Sequence, residues 1–235
     1  MATFVLVHGA WHGGWCYQRV ARLLRAGGHD VHTPTLTGLG ERSHLLTVGT
    51  DLYTHINDVL NVIRWEHLDD VVLCGHSYAG MVVTGVADVI PAKIAALVYL
   101  DAYVPKDGEC IWDYLGEERR KTIMKDAAPF GGDAILAPPV EHFGVSEADR
   151  DWVRVKLTPQ PMRTLTQAIR LTGGYERSRR RWYVYATGPS SMEGWYKELH
   201  DDPAWTVRVT QCGHEQMLDA PQEIAAMLVA AASRG

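Results

Sequence analysis

A chain of 235 residues is long enough for one well-filled α/β domain with a small insertion, and 46% hydrophobic with 22% charged residues is the balance of an ordinary soluble globule. The net charge of -5 gives no electrostatic basis for binding nucleic acid or an anionic membrane surface. Four scattered cysteines, Cys16, Cys74, Cys110 and Cys212, form no metal-type pair, and no signal or membrane segment precedes a first strand that starts almost at Met1. The expectation is a cytoplasmic protein with reduced thiols.

Thr3-Phe4-Val5-Leu6-Val7 is a continuous apolar strand that runs into His8-Gly9-Ala10. The loop Trp11-His12-Gly13-Gly14-Trp15 leads to a helix over about residues 15–26, closed by Gly27-Gly28. A second strand is expected at 31–36, then a loop at 37–43 that lacks the third glycine of a dinucleotide fingerprint. Helical spacing of Ile56, Val59, Leu60 and Ile63 marks a helix over about 52–66. The third strand, Val71-Val72-Leu73-Cys74, leads through Gly75-His76-Ser77 into a helix that Pro91 stops. A fourth strand at 94–100 ends in Asp101. Residues 106–180 break the rhythm: they show no clear strand, several proline and glycine breaks, and helical stretches rich in aromatics. Strands resume at 182–186 and 206–209, and Pro221 opens a last helix over 222–232. Arg177, Arg179, Arg180 and Arg181 read as a solvated rim.

Long apolar strands alternating with helices specify a mostly parallel, doubly wound sheet of about six strands. Right-handed crossovers place all strand carboxyl ends along one rim, where ligands bind. The expected organisation is a core formed by 1–105 and 181–235, with 106–180 inserted at that rim as a small helical cap.

Ser77 stands between a buried strand and a helix, flanked by the small residues Gly75, Ala79 and Gly80. Such a tight turn holds a hydroxyl above the sheet and aims the first helical amide at the atom it attacks. A serine needs a base. Of eleven histidines only His214 lies in a short glycine-preceded loop after a late strand, on the same rim. His76 is expected to point away from the site, and His8 and His12 to shape the first loop. The amides of Ala10 and Tyr78 are the natural pair of oxyanion donors. The loop at 187–193, where an orienting acid is usual, contains no aspartate. Asp101, at the end of the neighbouring strand, is the favoured acid, Glu193 is the alternative, and a site without an acid is the third possibility. Candidate pocket walls are Trp11, His12, Trp112, Tyr114, Phe143 and Trp152. The i, i+4 spacing of His8 and His12 could suggest a metal, but glycines surround them and no helix would align them, so none is expected.

The motifs Phe4-Val5-Leu6-Val7-His8-Gly9-Ala10, His12-Gly13-Gly14-Trp15, Gly75-His76-Ser77 and Gly213-His214 resemble the α/β-hydrolase superfamily. The likeness is nearest to the branch of plant methyl-ester esterases, hydroxynitrile lyases and their bacterial esterase relatives. It covers most of the chain, weakens in the cap, and implies a fold whose N-terminal hairpin is absent here. It also implies Ser77 as nucleophile, His214 as base, and Ala10 and Tyr78 as oxyanion donors. Two departures stand out: Ala79 replaces the usual glycine of the elbow, and the usual late aspartate is missing, a loss that relatives with the acid on the earlier strand make consistent with Asp101. The lyase branch carries a lysine directly after its histidine, whereas Glu215 stands here and favours ester hydrolysis.

The expected activity is that of a cofactor-independent serine hydrolase cleaving a small, mostly apolar carboxylic ester through an acyl-enzyme. The alternatives are a hydroxynitrile lyase-like or other carbon–carbon bond cleaving enzyme, and a ligand-binding receptor with feeble turnover. The expected partner is a small-molecule ester, with no nucleic acid or membrane and with homodimerisation open.

Overall fold

The computed structural model describes residues 1–178, 180–188 and 192–233. In chain order, β1 (Thr3–Val7) is followed by a turn of 3-10 helix, α1 (Gln18–Ala26), β2 (Asp30–His32), α2 (Leu52–Trp65), β3 (Val71–His76), α3 (Ala79–Val89) and β4 (Ile94–Leu100). The inserted segment contains α4 (Ile111–Tyr114), α5 (Glu117–Ala127), β5 (Ala134–Ile135), α6 (Arg150–Arg154), β6 (Gln160–Pro161) and α7 (Arg163–Thr166). The chain then returns through β7 (Arg181–Ala186), α8 (Glu193–Leu199), β8 (Trp205–Thr210), α9 (Gln216–Asp219) and α10 (Pro221–Ala232).

Six strands form one sheet in the order β2-β1-β3-β4-β7-β8, every described pairing being parallel. Helices α1 and α10 pack together, as do α2 and α3, so that both faces of the sheet are covered. This cover explains why the strands read as unbroken apolar runs. Val71, Val72 and Leu73 of β3 are almost completely buried, each contributing roughly 1.5–3 kcal/mol of transfer free energy. Helix α2 begins at Leu52 because Asp51 caps it: its Oδ1 accepts the Thr54 amide at 2.9 Å, and Thr54 Oγ1 accepts the Asp51 amide at 3.3 Å.

Two local expectations are corrected. Strand β2 ends at His32, well short of residue 36. Pro34 has no N–H to offer a sheet, and the next polar groups are drawn to the first loop. Thr35 Oγ1 accepts the Gly14 amide at 2.8 Å, and the Leu36 amide donates to His8 Nε2 at 3.0 Å. The inserted segment does contain strand: β5 and β6 form a two-residue antiparallel ladder, too short to leave a periodic signal.

Two of the four arginines have structural partners. Arg180 bonds the carbonyls of Ala95 and Ser233, and the Arg181 guanidinium stacks 5.0 Å from the Trp205 ring centroid. Arg179 lies outside the described residues. No helix among the described residues is long and apolar enough to cross a membrane.

Candidate active site

Strand order brings four loops to one point. β3 lies between β1 and β4, so the turn carrying Ser77 is flanked by the loop leaving β1 and by Asp101 at the end of β4. Ser77 has φ +53, the left-handed conformation in which a non-glycine residue is strained, and its amide is tied to Leu100 O at 3.2 Å. Close packing dictates the small neighbours. A Cβ at Gly80 would lie 1.9 Å from Tyr103 O, and one at Gly75 would lie 2.7 Å from Ala79 O. The positions that demand glycine are therefore 75 and 80, and the Ala79 side chain is accommodated in the core.

Asp101 is fully buried with φ +42. Its Oδ2 lies 2.6 Å from His214 Nδ1 and its Oδ1 accepts the Ala186 amide at 3.2 Å. A carboxylate facing Nδ1 fixes the tautomer with hydrogen on that nitrogen, leaving Nε2 as the basic one. Burial by itself would lower the His214 pKa. The hydrogen bond and charge of Asp101, with the charge of Glu215 added, reverse this and raise it above the ordinary histidine value. Glu193, the alternative acid, is exposed on α8 and pairs with Lys197 at 2.8 Å.

His76 stays off the cavity wall. Its ring packs 4.5 Å from that of His214, and its Nε2–H donates to the His214 carbonyl at 2.9 Å. Buried completely and beside another histidine, it has a pKa well below the ordinary value, which keeps it neutral. It braces the loop of His214 from below. Ser77 and His214 line the same cavity without a direct hydrogen bond between their side chains, a contact that commonly tightens only when substrate docks.

Two lining residues, Ala10 and Tyr78, carry backbone amides with no acceptor among the described residues. The Gly9–Ala10 peptide has its oxygen held by His8 Nδ1–H at 2.8 Å, while the Ala10 amide donates to no described residue. His8 is neutral, because burial lowers its pKa to about 3. The next peptide is pinned at both ends: Ala10 O by His12 Nδ1 at 2.7 Å, and the Trp11 amide by Gln160 Oε1 at 2.9 Å. The Tyr78 amide is likewise free of a described acceptor. Its side chain is anchored by an O–H donated to His55 Nδ1 at 2.9 Å, with His55 Nε2–H donating to Thr37 O at 2.8 Å.

The cavity has a volume of about 660 Å³ and contains Ser77, His214, Ala10 and Tyr78 on its wall. Of the expected pocket residues, Trp11, Tyr114 and Phe143 line it. His12, Trp112 and Trp152 do not. His12 is buried behind the wall, Trp112 stacks under the Arg120 guanidinium, and Trp152 packs edge-on against Trp15. Sequence inspection missed Tyr103, Ile111, Met192 and Trp195, which add to the apolar wall with Leu115, Ile123 and Leu165, and the polar members Arg119, Glu141 and His142. Tyr103, Tyr114 and Trp195 form one ring cluster with centroids 5.0–5.6 Å apart. A larger cleft of about 770 Å³ lies between Met1–Thr3, Asp69, Asp70 and Arg180, near the amino ends of the strands, with no nucleophile–base pair. Among the described residues no three of His, Cys, Asp or Glu converge as metal ligands.

A parallel sheet with a serine at a strand-to-helix elbow and a carboxylate–histidine pair on the adjoining rim defines an α/β hydrolase. The chain belongs to the alpha/beta hydrolase family, whose model matches residues 4–227. It is 44% identical, over 98% of its own length and 99% of the relative's, to a carbendazim hydrolyzing esterase of Nocardioides sp. (strain SG-4G). It is 25% identical to Methylesterase 7 of Arabidopsis thaliana, over 98% and 96% of the two chains. Among solved structures, an extracellular alpha/beta-hydrolase from a Paenibacillus species matches with a TM-score of 0.84, at 24% identity over 100% of both chains. That last likeness speaks to the fold.

Proposed function

We propose that the chain is a carboxylic-ester hydrolase in which Ser77, His214 and Asp101 form the catalytic triad. The observation that carries this is the 2.6 Å Asp101–His214 contact on the cavity that also holds Ser77 and two undonated amides. The esterase names of the relatives support the reaction class. His214 Nε2 takes the Ser77 proton as the hydroxyl oxygen attacks the ester carbonyl. The oxyanion that forms is stabilised by the amides of Ala10 and Tyr78. His214 then delivers the proton to the departing alcohol. Water, activated by the same histidine, releases the acid from Ser77, and no step draws on a cofactor.

The substrate is a small, mostly apolar ester, matched to aromatic walls and to a cavity of about 660 Å³. Arg119 reaches the same cavity, and its guanidinium forms no hydrogen bond or ion pair with a described residue. A substrate with a polar or anionic group beyond its ester suits that arrangement. Residues 106–180 act as the cap over this site, tied to the first loop through Trp11, whose indole N–H donates to Ile135 O at 3.2 Å. Carbon–carbon cleavage is the weaker reading, because the residue after His214 is a buried glutamate that contributes no cation to the cavity.

Replacing Ser77 with alanine tests the assignment. Turnover of an activated ester is expected to fall by on the order of 10³-fold or more. Near-normal turnover would remove Ser77 from the reaction.

A further inference from the structure

Glu215 follows the base directly, yet its side chain turns inward. The residue is fully buried, its Oε1 lies 3.4 Å from His12 Nε2, and neither carboxylate oxygen has a hydrogen-bond partner among the described residues. Leaving a carboxylate buried this way is costly unless something opposite it answers the charge. Among the described residues the group within ion-pair distance is His12, itself 1% exposed and boxed by the rings of Trp15 at 5.2 Å and Phe143 at 5.1 Å, while the Cys16 thiol and Tyr17 hydroxyl lie near enough to feel the same charge.

The other side of the His12 ring settles where one proton sits. Nδ1 lies 2.7 Å from Ala10 O, and a carbonyl oxygen only accepts, so Nδ1 carries hydrogen. Were Nε2 bare and Glu215 ionised, two sets of lone pairs would face each other in a dry interior. A proton shared between Nε2 and Oε1, 3.4 Å apart, relieves that opposition. His12 thus grips the loop of Ala10 with one nitrogen and the residue next to His214 with the other.

We propose that His12 and Glu215 are positioning residues, a one-proton clasp that locks the oxyanion loop to the loop carrying the base. The clasp presupposes the roles given above to Ser77, His214 and Ala10. With Ala10 O held by His12 and the Trp11 amide by Gln160, that peptide cannot rotate, and the neighbouring Ala10 N–H keeps its aim at the cavity. Donors of this kind act on the transition state, so losing the clasp should lower kcat and leave KM nearly unchanged.

The test compares E215L and H12F, which break the clasp in two ways, with E215Q, whose amide offers His12 either a donor or an acceptor. For E215L and H12F the expected result is a kcat about 10-fold or more below wild type with KM within two-fold, since removing an oxyanion donor outright costs roughly 10²–10³. Affinity for an aryl trifluoromethyl ketone, whose adduct places an oxyanion on the same amides, should fall in parallel, while E215Q keeps at least about a third of kcat. Thermal melting identifies the folded variants. A folded E215L or H12F with kcat and inhibitor affinity within three-fold of wild type overturns the clasp, as does a loss confined to KM. S77A is assayed beside them: an active S77A removes the site assignment itself, whereas an inactive S77A beside fully active clasp variants removes the clasp alone.

Discussion

Replacing Asp101 by asparagine changes one atom at the centre of the site. Asp101 is fully buried, and its donors include His214 Nδ1 at 2.6 Å and the Ala186 amide at 3.2 Å. Asparagine has one acceptor. If its oxygen stays with Ala186, its NH2 meets Nδ1, and the imidazole must move its hydrogen to Nε2, the tautomer that cannot take the Ser77 proton. If the amide flips, NH2 opposes the Ala186 N–H and a buried donor is left unpaired, costing about 1–3 kcal/mol. The first arrangement is the cheaper, so the fold survives and the base is lost. The expected loss in kcat is roughly 10³–10⁴-fold, the scale seen when this substitution is made in a serine protease triad, or about 4–5.5 kcal/mol of barrier. The assay is hydrolysis of p-nitrophenyl acetate between pH 5 and 9. In the wild type kcat/KM should fall as pH drops through a value above the ordinary histidine pKa of about 6.5, because the protonated base is inactive. In D101N the hydrogen bond and charge that raise the pKa are gone while burial remains, so the acidic limb of any residual activity moves to lower pH. A folded D101N within ten-fold of wild type, with an unmoved limb, would refute the role of Asp101. A thousand-fold loss in E193Q would transfer that role to Glu193.

Two further outcomes follow from single contacts. Arg119→Ala should raise KM for an aromatic hemi-ester with a free carboxylate about ten-fold more than KM for the matching neutral ester, the lower end of a charge-assisted hydrogen bond. Equal changes for both esters would discard the anchor. Asp88, near the end of α3, accepts the Thr172 amide at 2.7 Å and the Tyr175 amide at 3.2 Å, tying α3 to the end of the inserted segment. Burial acts to raise its pKa, but these hydrogen bonds outweigh it and the net shift is downward. Its contribution is therefore present above the unfolded carboxylate value of about 3.9 and is lost as pH falls through the lower folded value. D88A should melt roughly 5 °C below wild type at pH 7, from about 1–3 kcal/mol at 2–4 °C each, with the gap narrowing below about pH 4. A constant gap across that range would contradict the linkage.

The architecture is legible in the chain because a sheet covered on both faces demands continuous apolar strands, and those runs stand out at Thr3–Val7, Val71–His76 and Ile94–Leu100. The meeting of Asp101 and His214 is legible only as the favoured of three possibilities: the parallel strand ends share one rim, but β7 lies between β4 and β8. The cavity wall is not legible. Trp112, Tyr114 and Trp152 are similar aromatics, and the inserted segment has no period to say which of them faces inward; Trp195 comes from α8, beyond that segment. The inward turn of Glu215 was equally hidden, because its partner His12 is about 200 residues away in sequence and joined to it only by the fold. His76 stays off the cavity wall, as the turn requires, and its contact with His214 has no local signal. Its neighbour is the loop after β8, which no local pattern connects to β3.

The most direct test of the central claim is the identity of the residue that carries the acyl group. Brief reaction with a slowly released p-nitrophenyl ester, acid quenching and peptide mass analysis should place one acyl adduct on Ser77, absent from S77A. An adduct on another residue that persists in S77A, or full turnover by S77A with no adduct at all, would contradict the account.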